Sequence, residues 1–200
     1  MKHLITYSLV FIMFCPLGCE KELALNPNDN YDQPKWKQLV NDTTIYDLLN
    51  SCIVADSTYK YSNTVVGSLG MLYLNESDSL NILKADTIFS KKDAAFIFKQ
   101  ARLRHFFNID KSKLQQDKNV IYLDEKEVFG ERRSEYFSTI RQNHGSLYMM
   151  TMPVFSTDLK TAMISTSNNC GTLCGVGATY IYKKINGQWK LVAIWNKWIS

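Results

Sequence analysis

Between residues 146 and 200 the chain breaks into strand-length apolar runs, and the Asn186-Gly187 pair between the last two fixes how they meet. Asn-Gly accepts positive φ at both central positions of a two-residue turn whose twist matches right-handed strands, so it joins antiparallel neighbours. The runs are residues 147–155, 161–167, 178–185 and 189–199. They are separated by the polar stretch 156–160, the glycine-rich stretch 170–177 and the Asn-Gly turn. In the last run strict alternation puts Trp189, Leu191, Ala193 and Trp195 on one face and Lys190, Val192 and Ile194 on the other. The pattern predicts a four-stranded antiparallel meander.

Upstream the periodicity is helical. In residues 41–55, Ile45, Leu48, Leu49, Cys52 and Ile53 recur at helical spacing, with Thr44 and Asp47 placed as a capping pair. Ser90 and Asp93 open a second helix, with Ala94, Ile97, Phe98, Ala101 and His105 along one face. Residues 131–144 form a third with Tyr136, Phe137 and Ile140 inward, and Gly145 supplies its stop. Residues 64–67, 70–74 and 120–123 read as extended and 75–79 as a turn. The expected fold is α+β: helices followed by the meander and packed on one side of it, as a single domain over residues 35–200. That order resembles the nuclear transport factor 2-like and cystatin-like architectures, which host enzymes and passive binding domains alike.

The first 34 residues are of another kind. Lys2 and His3 precede an apolar run over residues 4–14 interrupted only by Thr6 and Ser8, a secretory pattern too short for the roughly 20 residues a membrane-spanning helix needs. It ends in Pro16-Leu17-Gly18-Cys19. This segment resembles the lipobox of bacterial lipoproteins, with Gly18 and Cys19 in the matching positions and Pro16 where the family has leucine. Glu20-Lys21-Glu22 resembles the acidic export tag of surface lipoproteins of the Bacteroidota. The resemblance implies a signal peptide over residues 1–18, a lipid on Cys19, and a cell-envelope location on the outer membrane, at its periplasmic or surface face. Residues 19–34 are rich in Asn, Asp, Glu and Pro and read as a polar tether. Asn28-Asp29-Asn30-Tyr31-Asp32 is no calcium loop, because Gln33 and Pro34 stand where the glycine belongs.

With 46% hydrophobic residues and a formal net charge of +4 spread among acids, the chain has the makings of a core and lacks the basic stripe that nucleic acid requires. Once Cys19 is lipidated and Cys15 removed, Cys52, Cys170 and Cys174 remain. Cys170 and Cys174 bracket Gly171-Thr172-Leu173 ahead of Gly175 and Gly177, a spacing suited to a structural disulfide, with free thiols or a metal or redox role as the alternatives. Cys52 falls on the buried helix face and reads as packing.

The segments Pro153-Val154-Phe155-Ser156, Ala162, Cys170-Gly171-Thr172-Leu173-Cys174-Gly175 and Asn186-Gly187-Gln188-Trp189 resemble a family of exported bacterial proteins of unknown function. That resemblance implies membership without an activity. No nucleophile or metal motif is present in the sequence, so no cofactor and no metal are expected. The candidate site residues are His144 and Tyr148 with Asp124 or Glu127 at the mouth of the sheet, and His105 as a helix-end histidine. The expected function is a non-enzymatic binding domain for a protein, glycan or small ligand. The alternatives are an envelope hydrolase or isomerase using a helix/sheet pocket, and an immunity-type protein that neutralises a toxin.

Overall fold

In the computed structural model, α1 (Asp42–Ala55) lies against one face of a mostly antiparallel sheet and a helix pair lies against the other. The structure describes residues 39–56, 59, 62, 64–74, 76–102, 107–115, 117–171 and 174–200, and these belong to a unit spanning Pro34–Ser200. Cys19, the signal segment 1–18, the tether 19–34 and His105 lie outside the described residues.

The remaining helices are α2 (Glu76–Lys84), α3 (Lys91–Ala101), α4 (Glu125–Phe129) and α5 (Arg133–His144). The strands are β1 (Thr64–Val66), β2 (Ser68–Leu69), β3 (Phe107–Asn108), β4 (Asn119–Ile121), β5 (Leu147–Met150), β6 (Val154–Phe155), β7 (Thr161–Gly171), β8 (Cys174–Ile185) and β9 (Gln188–Ile199). The main sheet runs β4-β1-β5-β7-β8-β9, with β6 also paired to β7. β1 is parallel to both β4 and β5; every other pairing in the sheet is antiparallel. The fold is therefore mixed α+β, and β1 and β4 widen the sheet beyond the four runs near its end.

Local chemistry explains where the elements begin and end. Ser90 and Asp93 form a reciprocal capping box, and Asn186 and Gly187 both take positive φ, 51° and 79°, between β8 and β9. The cap of α1 is Asn41, whose Oδ1 accepts from the Thr44 amide at 2.8 Å, not the Thr44 and Asp47 pair. Residues 76–79, expected as a turn, open α2, because Ile82 and Asp78 bury one side of that segment. The first strand run is split at Pro153, which has no amide proton to give a ladder. β5 pairs with the far half of β7, the Met152 amide turns aside to the Gly70 carbonyl at 2.6 Å, and β6 rejoins β7 at Ala162 and Met163.

Two buried clusters divide the sheet by parity. Ala162, Ile164, Tyr182, Phe155 and Trp189 join Ile45, Leu48, Leu49 and Cys52 of α1. Met163, Ile181 and Val154 join Ile82 of α2 and Ala94 and Ile97 of α3. Helices thus cover both faces, not one, and the strands at the centre read as apolar runs for that reason. The expected alternation along β9 also fails. Tyr182 is opposite Leu191 and Ile181 is opposite Ala193, so Val192 is an inserted bulge residue. The insertion flips parity: Trp189 packs with the α1 cluster, whereas Ala193 and Trp195 pack with the α2 and α3 cluster.

Gly67 is the tightest point where β1 meets its neighbours. Its amide donates to the Ile121 carbonyl at 2.7 Å, and a Cβ there would sit 2.6 Å from Val120 Cγ1 and 2.8 Å from Tyr122 Cε1. Gly67→Ala is expected to cost about 1–3 kcal/mol through overpacking. A urea melt reads this directly, and an unchanged midpoint would contradict the packing described.

Candidate functional site

The buried stripe of α1 runs Ile45, Leu49, Cys52 and then, four residues on, Asp56. Asp56 caps the helix, its amide donating to the Cys52 carbonyl at 2.9 Å, and its side chain points into the α1 face of the sheet. Its Oδ2 accepts from the Tyr148 hydroxyl at 2.7 Å and from Thr166 Oγ1 at 2.9 Å. Met150 is opposite Thr166 and Asn168 opposite Tyr148, so β5 and β7 present both donors on one face. Tyr59 stands edge-on to Tyr148 with ring centroids 5.1 Å apart, and its buried hydroxyl has no hydrogen-bond partner among the described residues.

Among the described residues, the phenols and the thiol around this carboxylate are shifted toward their protonated forms. Burial pushes the Tyr148 phenol well above its ordinary range, and the charge of Asp56 pushes it further. Burial raises the Cys52 thiol to about 12 and the Tyr59 phenol to about 12. It raises Tyr182 as well, whose side chain lies beside Cys52 in the same cluster. A thiol that keeps its proton is a poor nucleophile, and phenols that keep theirs act as donors. The arrangement therefore does one thing well: it fixes a buried carboxylate with hydroxyl donors and ties the end of α1 to the centre of the sheet.

A second polar clasp holds the other end of α1. Asp47 Oδ2 accepts from Lys184 Nζ at 2.6 Å and from Trp189 Nε1 at 2.9 Å, which fastens α1 to the β8 and β9 hairpin. Phe155 and Trp189 pack edge to face at 6.1 Å inside the same cluster, so this side of the sheet is filled by side chains.

The sequence candidates do not converge. Tyr148 is fully buried and committed to Asp56. Asp124 caps α4 through the Lys126 amide at 2.8 Å, and its own amide donates to the Tyr136 hydroxyl at 2.8 Å. His144 ends α5, where its carbonyl accepts from Thr64 Oγ1 at 3.3 Å. No hydrogen bond or ion pair among the described residues joins these three. Cys170 and Cys174 are bonded as a disulfide with Cα atoms 5.2 Å apart, and it pins the hairpin between β7 and β8. Among the described residues no group of three or more His, Cys, Asp and Glu side chains is placed to hold a metal ion.

Of the two strands at the ends of the sheet among the described residues, β4 and β9, β9 is much the longer. It ends the strand order, so its outer edge has no strand neighbour among the described residues. Leu191, Val192, Ile194, Trp198 and Ile199 are exposed along it, Ile194 by 50% and Ile199 by 76%. Trp198 lies across the bare backbone of Gly177, where a Cβ would come within 2.6 Å of its Nε1. Asp56 and Thr166 were missing from the sequence candidates, although an acid that continues the apolar stripe of a helix is a readable signal, since such residues are seldom buried without partners. Compared with models of protein families, with curated proteins and with solved structures, the chain matches none.

Proposed function

We propose that this chain is a lipid-anchored cell-envelope protein whose folded part is a non-enzymatic binding domain that docks its partner on β9. The observation that carries the reading is the exposed row of apolar side chains on a 12-residue strand at the sheet's edge. Folded proteins blunt such edges or use them, because an unpaired strand with apolar side chains recruits another chain. The commitment of Tyr148 to Asp56 and the dense packing around Phe155 and Trp189 favour a binding domain over a hydrolase or isomerase pocket.

The anchor rests on Pro16-Leu17-Gly18-Cys19 behind its short apolar run, with residues 19–34 as the tether. The disulfide between Cys170 and Cys174 agrees with an oxidising compartment outside the cytosol. For the fold, the antiparallel run β5-β7-β8-β9 against α1 supports a nuclear transport factor 2-like or cystatin-like relationship, and the parallel β1 departs from it.

The docking surface is tested by placing a photo-crosslinking residue at Ile194 on β9, or at the somewhat more exposed Leu83 on α2, in the full-length protein on cells. Adducts are expected from position 194 and not from 83. Adducts from neither position, or from both alike, would remove β9 as the binding surface.

A further inference from the structure

From Leu159 to Ser200 the chain holds five lysines and no aspartate, glutamate or arginine. Lys184 is neutralised by Asp47 at 2.6 Å. Lys183, Lys190 and Lys197 are exposed and take part in no ion pair among the described residues. Lys183 and Lys190 are directly opposite each other across β8 and β9. Like charges in that position repel, and a carboxylate brought beside Lys190 would offset the repulsion.

The register divides the edge by face. Leu191 is opposite Tyr182 and Ile194 opposite Tyr180, which places both on the α1 face beyond the helix. Ile199, opposite Val176, falls on the same face. Lys190, opposite Lys183, falls on the other. A strand added along β9 sends alternate side chains to these two faces, one apolar and the other carrying Lys190 beside Trp195 and Trp198. The matching sequence carries apolar residues on the first face and an acid beside Lys190 on the second.

Two other occupants fit less well. A second copy paired antiparallel through β9 and centred between Ala193 and Ile194 would bring Lys190 of each copy against Lys197 of the other. The bulges in β9, between the pairs Ile181/Ala193 and Tyr182/Leu191 and between Gly177/Trp198 and Thr179/Trp195, further break a long self-complementary ladder. An anionic lipid surface offers no backbone groups in register to pair with the open edge of β9. The bulges limit regular pairing to short stretches either side of Val192, which suits a short segment.

We infer that β9 captures a short, extended, acidic polypeptide segment of a partner protein, its apolar residues beside Leu191 and Ile194 and its carboxylates beside Lys183 and Lys190. The inference rests on β9 being the docking surface. It is tested by titrating the full-length protein with a fluorescent peptide of about eight alternating glutamates and valines, a size matched to a short strand. A lysine/valine peptide and phosphatidylglycerol vesicles run in parallel. The glutamate/valine peptide is expected to bind about tenfold or more tighter than the lysine/valine peptide. Its binding should weaken as salt rises from about 50 to about 500 mM. Lys190→Glu and Lys183→Glu, both at exposed positions, should each weaken it while leaving the thermal melt unchanged. Equal binding of the two peptides, binding of the vesicles alone, or binding of none overturns the inference. If the peptide fails while the crosslinker at 194 still forms adducts, the partner chemistry is wrong and the docking surface stands; if both fail, the surface falls too.

Discussion

Asp56→Ala should lower stability by about 3 kcal/mol, because it strands two buried hydroxyl donors at once, each costing about 1–3 kcal/mol when left without an acceptor. Tyr148 and Thr166 both donate to the same carboxylate oxygen, and Tyr148 is fully enclosed. For a domain of this size the loss corresponds to a fall of roughly 6–12 °C in Tm. Tyr148→Phe alone should cost much less, about 0.5–1.5 kcal/mol, since Asp56 retains Thr166. The informative variant combines Asp56→Leu with Tyr148→Phe and Thr166→Val. Replacing these two donors and the acceptor together removes the hydroxyls left unpaired by Asp56→Ala, so part of the lost stability should return. Urea melts of the three proteins decide it. An Asp56→Ala protein as stable as the parent would mean that the carboxylate does not fasten α1 to the sheet.

Much of this arrangement was legible locally. The Asn186-Gly187 turn, the Ser90 and Asp93 capping box and the stripe of α1 each depend on neighbours a few residues away, and each is where the sequence placed it. What escaped depends on distant partners. The bulge at Val192 is invisible until β8 supplies the register, and with it the faces of Ala193 and Trp195 were assigned wrongly. The parallel pairing of β1 with β4 and β5 joins residues far apart in the chain, and no short pattern announces it. α2 was obscured by turn-forming residues at its start, where tertiary burial of Asp78 and Ile82 outweighs weak local preference. Among the candidate site residues, Tyr148 is paired with Asp56, which lies 92 residues away in the chain, while His144 and Asp124 each serve a helix end.

The largest functional effect is expected from Cys19→Ser. Each acyl methylene buried in the bilayer adds about 0.8 kcal/mol, so one chain binds marginally, whereas two or more hold a protein on its membrane stably. A serine offers no thiol for a thioether-linked lipid, and an unprocessed apolar run over residues 4–14 is too short to substitute as a spanning helix. The parent protein should therefore sediment with membranes and leave them only in detergent, and the variant should lose its lipid label. The proposal that β9 works as a tethered docking edge depends on this attachment. Its most direct test is the intact mass of the N-terminal peptide of protein extracted from membranes, read beside the Cys19→Ser variant. The account predicts a peptide that begins at Cys19 and carries lipid mass on that residue, absent from the variant. An unlipidated N-terminus, or lipid retained by the serine variant, would contradict it.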